Sequence, residues 1–221
     1  MTVSDSIHHY AAVVFDFDGT LADSFAAIAS SVNHVRSSRG LSALSIEEVT
    51  RYVGRGAEYL LEQTIPGGQL AEDLACYRAH HPSVIIPLTQ LLPGARELLL
   101  ALHRRQVKIG LCSNKPRFFS EMILKHLELA PLFAAVLGPE DVPRPKPAPD
   151  MLLAAVERLG EPADRVLYVG DMTVDIQTAK SACVRVWAVA TGSEARGDLE
   201  AARPDRMLTD LQEMIVELEQ M

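Results

Sequence analysis

Short apolar runs that end abruptly in polar strings alternate along this chain with stretches whose apolar residues recur at helical spacing. Ala11 to Phe15 reads AAVVF and passes straight into Asp16-Phe17-Asp18-Gly19-Thr20. VKIGLC, Val107 to Cys112, passes into Ser113-Asn114-Lys115, and RVLYVG, Arg165 to Gly170, passes into Asp171-Met172-Thr173-Val174-Asp175. Unbroken apolar runs of this kind predict buried strands that carry polar residues to their ends. The 3.6-residue period predicts helices near 94–104, 117–127, 149–159 and 175–183, a strand over Val184 to Ala190, and a last helix near 210–220. Strands alternating with helices predict an α/β fold, a parallel sheet covered on both faces. Such sheets bind ligands beyond the carboxyl ends of their strands, where the polar strings fall.

Residues 22–88 break the alternation. Phe25, Ile28, Ala29, Val32 and Val35 form one apolar stripe, Ala57, Leu60 and Leu61 a second, and Leu70, Leu74 and Tyr77 a third, so this stretch reads as consecutive helices. The expected organisation is a core of residues 1–21 and 89–221 with a helical domain of residues 22–88 inserted after the first acidic string. Ile86-Pro87-Leu88 through Leu92-Pro93-Gly94 supplies the return linker, since each proline disfavours helix in the residue before it. The terminal stripe of Leu211, Met214, Ile215 and Leu218 packs either on the sheet or on another subunit, and Trp187 reads as core.

Composition narrows the function classes. The chain has 221 residues, 48% of them hydrophobic, and a net charge of −8 with no dense Lys/Arg block, so no electrostatic footprint for nucleic acid or an anionic membrane is expected. Any phosphate must be bound locally. Cys76, Cys112 and Cys183 are odd in number and scattered, which suggests neither a disulfide framework nor a zinc site. The first fifteen residues show no basic segment followed by an apolar stretch and cleavage site, so a cytoplasmic location is expected. His8-His9 and His80-His81 are adjacent pairs whose rings point different ways, and they are not read as metal ligands.

Asp16 and Asp18 sit two residues apart, on one side of an extended chain. A surface turn accounts for an Asp-x-Asp-Gly string equally well, but its position after AAVVF favours a site, because a buried strand that presents paired acids needs a cation or proton to neutralise them. Asp171 and Asp175 repeat the device, with Asp175 also placed to cap a helix. Several converging carboxylates suit Mg²⁺, a hard cation that takes one or two carboxylates and keeps waters for substrate phosphate. Ser113 and Asn114 offer a hydroxyl, an amide and backbone N–H groups at a strand end. Lys146, within Arg144-Pro145-Lys146-Pro147-Ala148-Pro149, is either a solvated loop lysine or a cation positioned by stiffening prolines.

In their order and contexts, DFDGT, SN, the Lys146 loop and GDxxxD resemble the four motifs of the haloacid-dehalogenase-like superfamily, over essentially the whole chain. The resemblance implies a Rossmann-like core with an inserted helical cap of the C1 type. Within that superfamily DGTLADS (Asp18 to Ser24), VGRGA (Val53 to Ala57) and Ser113-Asn114-Lys115 are similar to the wording of phosphoglycolate phosphatases. It further implies an Mg²⁺-dependent phosphomonoester hydrolase acting on a small phosphorylated metabolite, 2-phosphoglycolate first among them, as a monomer or homodimer. Asp16 would be the nucleophile, Asp18 the general acid and base, and Mg²⁺ would be held by Asp16, the Asp18 carbonyl and Asp171. Backbone N–H groups near Gly19 and Thr20, with Ser113, Asn114 and Lys146, would bind phosphate, and Asp175 would orient metal-bound water or Lys146. Lys115 would assist or face solvent. Arg55, between Gly54 and Gly56, is the candidate for a substrate carboxylate, with a solvated turn arginine as the alternative. Members that dehalogenate carbon, or cleave phosphonates through a cap lysine, usually lack an acid at the position of Asp18, and phosphoglucomutase relatives typically read DGV where Thr20 gives DGT. A sugar-phosphate phosphatase, a β-phosphoglucomutase-like phosphotransferase and a non-catalytic metabolite-binding regulator on the same fold are the rival readings.

Overall fold

The structure, a computed structural model, describes residues 6–220; residues 1–5 and Met221, which belong to the expected core, lie outside the described residues. The chain begins with β1 (Ala12–Phe15) and β2 (Ala22–Asp23), followed by the helices α1 (Phe25–Ser38), α2 (Ile46–Thr50), α3 (Ala57–Thr64) and α4 (Leu70–Val84). After them come β3 (Gln90–Leu91), α5 (Ala95–Arg104), β4 (Lys108–Cys112), α6 (Arg117–His126), β5 (Phe133–Leu137) and α7 (Asp150–Leu159). The last elements are β6 (Val166–Gly170), α8 (Thr173–Ser181), β7 (Arg185–Val189), α9 (Arg196–Ala201), β8 (Arg206–Leu208) and α10 (Gln212–Glu219).

Six strands form one parallel sheet in the order β5-β4-β1-β6-β7-β8. Its two faces follow from the two-residue period of a strand. Val13, Phe15, Ile109, Leu111, Leu167, Val169 and Trp187 point to one side and pack on Leu98, Leu99 and Leu102 of α5, Ile123 of α6, and Met214 and Leu218 of α10. Ala12, Val14, Tyr168, Val186 and Ala188 point to the other and pack on Met151, Leu152 and Ala155 of α7, Ile176 of α8 and Leu199 of α9. The terminal apolar stripe therefore covers the sheet of its own chain. Strand order reverses between β1 and β6, which pair with Phe15 opposite Val169, and a crevice opens beyond their carboxyl ends.

Helices α1 to α4 share a separate apolar cluster that includes Ile28, Val32, Val35, Leu60, Leu61 and Tyr77. The chain leaves for these helices and returns from them through a two-stranded antiparallel ribbon, Ala22 opposite Leu91 and Asp23 opposite Gln90. The structure adds elements that periodicity did not predict. β5 holds Phe133-Ala134-Ala135-Val136-Leu137, alanine-rich and at the sheet edge, so it lacks the β-branched density of an interior strand. β8 at the other edge has only three residues, and α2 has five. Among the described residues no helix is long and apolar enough to cross a membrane.

Candidate active site

β1 and β6 deliver their acids to one place. Asp16 extends the β1 ladder by one residue, its N–H donating to Val169 O at 2.9 Å, and Gly170 ends β6 just before Asp171. Asp16, Asp18, Asp171 and Asp175 are all buried, and the buried cations that face them are Lys115 and Lys146. Oxygens of Asp16, Asp171 and Asp175 lie within 4.8 Å of one another.

Each carboxylate has a distinct set of partners. Asp175 is fully engaged: Oδ1 accepts from Lys146 Nζ at 2.6 Å and from Tyr168 Oη at 3.0 Å, and Oδ2 accepts from Met172 N–H at 3.0 Å. It is thus the third residue of α8 and not its N-cap, a position Met172 holds, and it reaches back to the Met172 N–H while it binds Lys146. Asp171 Oδ1 accepts from Thr20 Oγ1 at 2.6 Å, whereas its buried Oδ2 has no hydrogen-bond partner among the described residues. Lys146 Nζ lies 2.9 Å from Asp16 Oδ1 as an ion pair, without the alignment of a hydrogen bond. Asp18 is held by Ser24 Oγ on Oδ1 and by Lys115 Nζ, 3.1 Å from Oδ2.

The electrostatics follow from crowding and burial. Burial, then the neighbouring Asp16 and Asp175 charges, push the Asp171 carboxyl well above the usual carboxylate range. Burial also lifts Asp175, to about 6, against the pull of Lys146. Burial opposes the charge on Lys146, but Asp16 and Asp175 outweigh it and hold the ammonium above its ordinary pKa. The bare, buried Oδ2 of Asp171, with the Asp16 carboxylate beside it, is what a small hard cation requires. A Cβ built on Gly192 would lie 1.6 Å from Asp171 Oδ2, and one on Gly19 2.3 Å from it, so these two glycines keep the backbone close around that oxygen.

Several foreseen phosphate contacts are spent elsewhere. The Gly19 N–H donates to Ala22 O at 2.8 Å and the Thr20 N–H to Phe17 O at 3.3 Å, closing the turn after β1, while the Thr20 hydroxyl serves Asp171. Backbone donors at this end of the sheet that have no hydrogen-bond partner among the described residues include the N–H groups of Phe17, Asp18 and Asn114. Ser113 lines the cavity, its hydroxyl oxygen accepting only from Lys115 N–H at 3.3 Å, which leaves its proton for a ligand. The Asn114 side chain is not free for phosphate. Its Nδ2 donates to Gly54 O at 3.0 Å and Lys146 O at 3.1 Å, and its Oδ1 accepts from Lys146 N–H at 3.1 Å. Asn114 thus latches the loop before α3 and the Lys146 loop to the end of β4. Asn114→Ala is expected to cost about 2–4 kcal/mol by chemical denaturation, because three hydrogen bonds go and buried backbone groups are left unpaired. A loss below about 0.5 kcal/mol would show that the latch contributes nothing.

The cap closes over the acids. Ile28, Val53, Gly54, Gly56, Ala57, Leu60, Tyr77 and His81 from the inserted helices, with Asp16, Asp18, Ser113, Lys115 and Phe119 from the core, line a cavity of about 40 Å³. Arg55 does not line it: the side chain is exposed, with its guanidinium 5.3 Å from the ring centroid of Tyr59 on α3. The flanking glycines, at φ 103° and 91°, bring the backbone rather than the arginine to the core. Lys115, by contrast, is buried on Asp18 and not in solvent. Sequence reasoning missed Ser24, Tyr168, Gly192, Tyr77 and His81. Ser24 stood in the string DGTLADS, and Tyr168 is the polar-tipped residue inside an otherwise apolar strand.

Known proteins agree with this geometry. The chain is 37% identical over 180 residues to a phosphoglycolate phosphatase of Cereibacter sphaeroides (strain ATCC 17025 / ATH 2.4.3), spanning 78% of this chain and 82% of that protein. It is 30% identical over 211 residues to a phosphoglycolate phosphatase of Pseudomonas fluorescens (strain Pf0-1), spanning 92% and 78%. A solved structure described as a haloacid dehalogenase-like hydrolase from Bacteroides fragilis superposes with a TM-score of 0.86 at 30% identity, covering 93% of this chain and 99% of that one. The family model for haloacid dehalogenase-like hydrolases matches residues 13–189, and with buried acids at the ends of β1 and β6 beneath a helical cap, the chain belongs to that family.

Proposed function

We propose that this phosphatase is an Mg²⁺-dependent phosphomonoester hydrolase that works through an aspartyl-phosphate on Asp16, with 2-phosphoglycolate as its substrate. The observation that carries this reading is the charge balance of the crevice, where four buried carboxylates face two buried ammonium groups. If all are ionised, the excess of two negative charges matches one divalent cation.

Asp171, through its bare Oδ2, and Asp16 would hold that cation, with the main-chain carbonyl of Asp18, which accepts no hydrogen bond among the described residues. When bound, Mg²⁺ screens the carboxylate from the phosphate and stabilises charge in the transition state. Asp16, aimed by its place at the end of β1 and by Lys146, attacks phosphorus as the ester bond breaks. Asp18, fixed by Ser24 and Lys115, takes up a proton once the substrate's negative charge is bound beside it, gives that proton to the departing oxygen and then takes one from the attacking water. The Ser113 hydroxyl, the Phe17 and Asp18 N–H groups and the Lys146 ammonium offer donors to the phosphoryl oxygens. Asp175 positions Lys146.

Cavity size favours a short leaving group. The cavity beside Asp18 is small, about 40 Å³, and lined mainly by apolar cap residues, which favours a short leaving group such as glycolate over a polyhydroxylated hexose. The retained nucleophile, acid and ammonium argue against a binding-only regulator. We read the enzyme as cytoplasmic, acting as a monomer or homodimer without nucleic-acid or membrane partners. A panel of phosphorylated metabolites with Mg²⁺ tests the substrate: kcat/KM for 2-phosphoglycolate is expected to exceed that for glucose 6-phosphate by about 100-fold or more. A hexose phosphate turned over as well or better would contradict it.

A further inference from the structure

Tyr77 and His81 stand one turn apart on α4 and present polar atoms to the cavity that the mechanism above does not use. Tyr77 is 5% exposed and His81 1%, and both side chains line the cavity. Their rings stack at 4.9 Å, and His81 also meets the edge of Phe119, on core helix α6, at 4.8 Å. Neither Tyr77 Oη nor His81 Nε2 hydrogen-bonds to any described residue. Two polar atoms with no protein partner, on side chains that line the cavity, are open to a ligand that enters it.

The chemical character of the pair is set by its neighbours. His81 Nδ1 meets Ser31 Oγ at 2.8 Å, and Ser31 Oγ meets His80 Nδ1 at 3.2 Å. One hydroxyl proton serves both rings, so Ser31 donates to one imidazole and accepts from the other. Burial, then Lys115 and His80, hold the His81 imidazole down to about 3, so it is neutral and carries a single N–H. Assigning the Ser31 proton to the shorter contact, His81 Nδ1 at 2.8 Å, puts the single N–H on Nε2, the ring nitrogen left without a protein partner in this cavity-lining residue. Burial, and then the Asp18 charge, keep the Tyr77 phenol protonated, so the hydroxyl is a donor that sits near Asp18.

Resting on the phosphatase reading, we infer that Tyr77 and His81 form the leaving-group subsite, two neutral donors that bind a carboxylate or carbonyl oxygen on the alcohol portion of the ester. The arrangement supplies the recognition that Arg55 does not. Donors this buried also reject a leaving group that cannot pair with them, so the subsite discriminates against plain alkyl phosphates. Neutral donors recognise the acidic oxygen while leaving Lys115 on Asp18.

The test compares kcat/KM for 2-phosphoglycolate and ethyl phosphate with Mg²⁺ in the wild type, Tyr77→Phe, His81→Phe and His81→Gln. The wild type is expected to prefer 2-phosphoglycolate, and each Phe variant to lower that preference by about 10- to 100-fold. His81→Gln, whose amide nitrogen can stand near the Nε2 position, is expected to retain more of the preference than His81→Phe. Tyr77→Phe removes one oxygen and keeps the ring, so it guards against misfolding as the explanation. Equal losses on both phosphates would make the pair structural and overturn the subsite. A wild type active on ethyl phosphate but indifferent to the carboxylate overturns the subsite and leaves the phosphatase reading standing; one active on neither overturns both. Histidine ¹⁵N shifts give a readout apart from turnover: protonated Nε2 on His81 supports the donor, and protonated Nδ1 overturns it.

Discussion

Asp16→Asn is expected to drop turnover of 2-phosphoglycolate to background, a fall on the order of 10⁵-fold or more, because an amide is a poor nucleophile and no other side chain stands where Asp16 does. The substitution is nearly isosteric. It removes one charge from a crowded acidic cluster, so the folded protein should tolerate it and thermal stability should not fall. Asp18→Asn should behave differently. Asparagine there can still be held by Ser24, but it cannot give up or take a proton, and both half-reactions should slow by about 10²–10⁴-fold. Steady-state rates for the two variants, purified free of host phosphatases, check the pair. Near-native activity in Asp16→Asn would refute the covalent mechanism.

Removal of the metal should have an effect of similar size. Excess chelator is expected to stop turnover and Mg²⁺ to restore it, with Ca²⁺ a poor substitute because it prefers longer bonds and more ligands. Asp171→Ala should lose most activity at any attainable Mg²⁺ concentration, since it removes a bare carboxylate oxygen that the fold holds ready. The same carboxylates tie the metal to stability. Asp171 and Asp175 have folded pKa values raised above the ordinary carboxylate, Asp175 to about 6. A raised pKa adds stability that is complete below the unfolded value, near 3.9, and is lost as pH rises through the folded value. Metal-free protein should therefore lose stability between about pH 4 and 7 from these groups. Bound Mg²⁺ relieves the charged form, so the increase in Tm on adding Mg²⁺ should be large at pH 7.5 and shrink towards pH 5 as protons compete. An Mg²⁺ effect on Tm that is independent of pH, or full activity in excess chelator, would contradict the assignment of the metal to these residues.

The sheet was legible because interior strands cannot disguise themselves. AAVVF, VKIGLC and RVLYVG are apolar on both faces and stop at a polar string, which reports both the strand and where its end lies. Edge strands carry less of that signal, and so β5 and β8 went unread. The acids could be named from sequence for the same reason, being the first residues past the end of a buried strand. What could not be read was which atoms are already committed. Thr20, Asn114 and Lys115 look alike in a sequence, as polar residues next to a motif. Only the folded chain shows that Thr20 serves Asp171, that Asn114 ties two loops together, and that Lys115 neutralises Asp18. Arg55 misled for a related reason. Two glycines do signal close approach of the backbone, but the side chain between them, just ahead of α3, turns outward onto Tyr59 of that helix. Tyr77 and His81 were hidden by periodicity itself. Tyr77 reads as one more member of an apolar stripe and His81 as half of an unremarkable pair, and their shared cavity exists only once α4 is packed on α1 with His81 against Phe119 of α6.

The covalent step is tested most directly by trapping it. Asp18→Asn enzyme, mixed with 2-phosphoglycolate and Mg²⁺ and quenched with borohydride, should carry the reduced product of an acyl phosphate at residue 16 and nowhere else when its peptides are mapped by mass spectrometry. The modification should be absent from Asp16→Asn and from enzyme treated with chelator. Modification at another residue, or none in an enzyme that still releases phosphate at the expected rate, would contradict the assignment of Asp16 as the nucleophile.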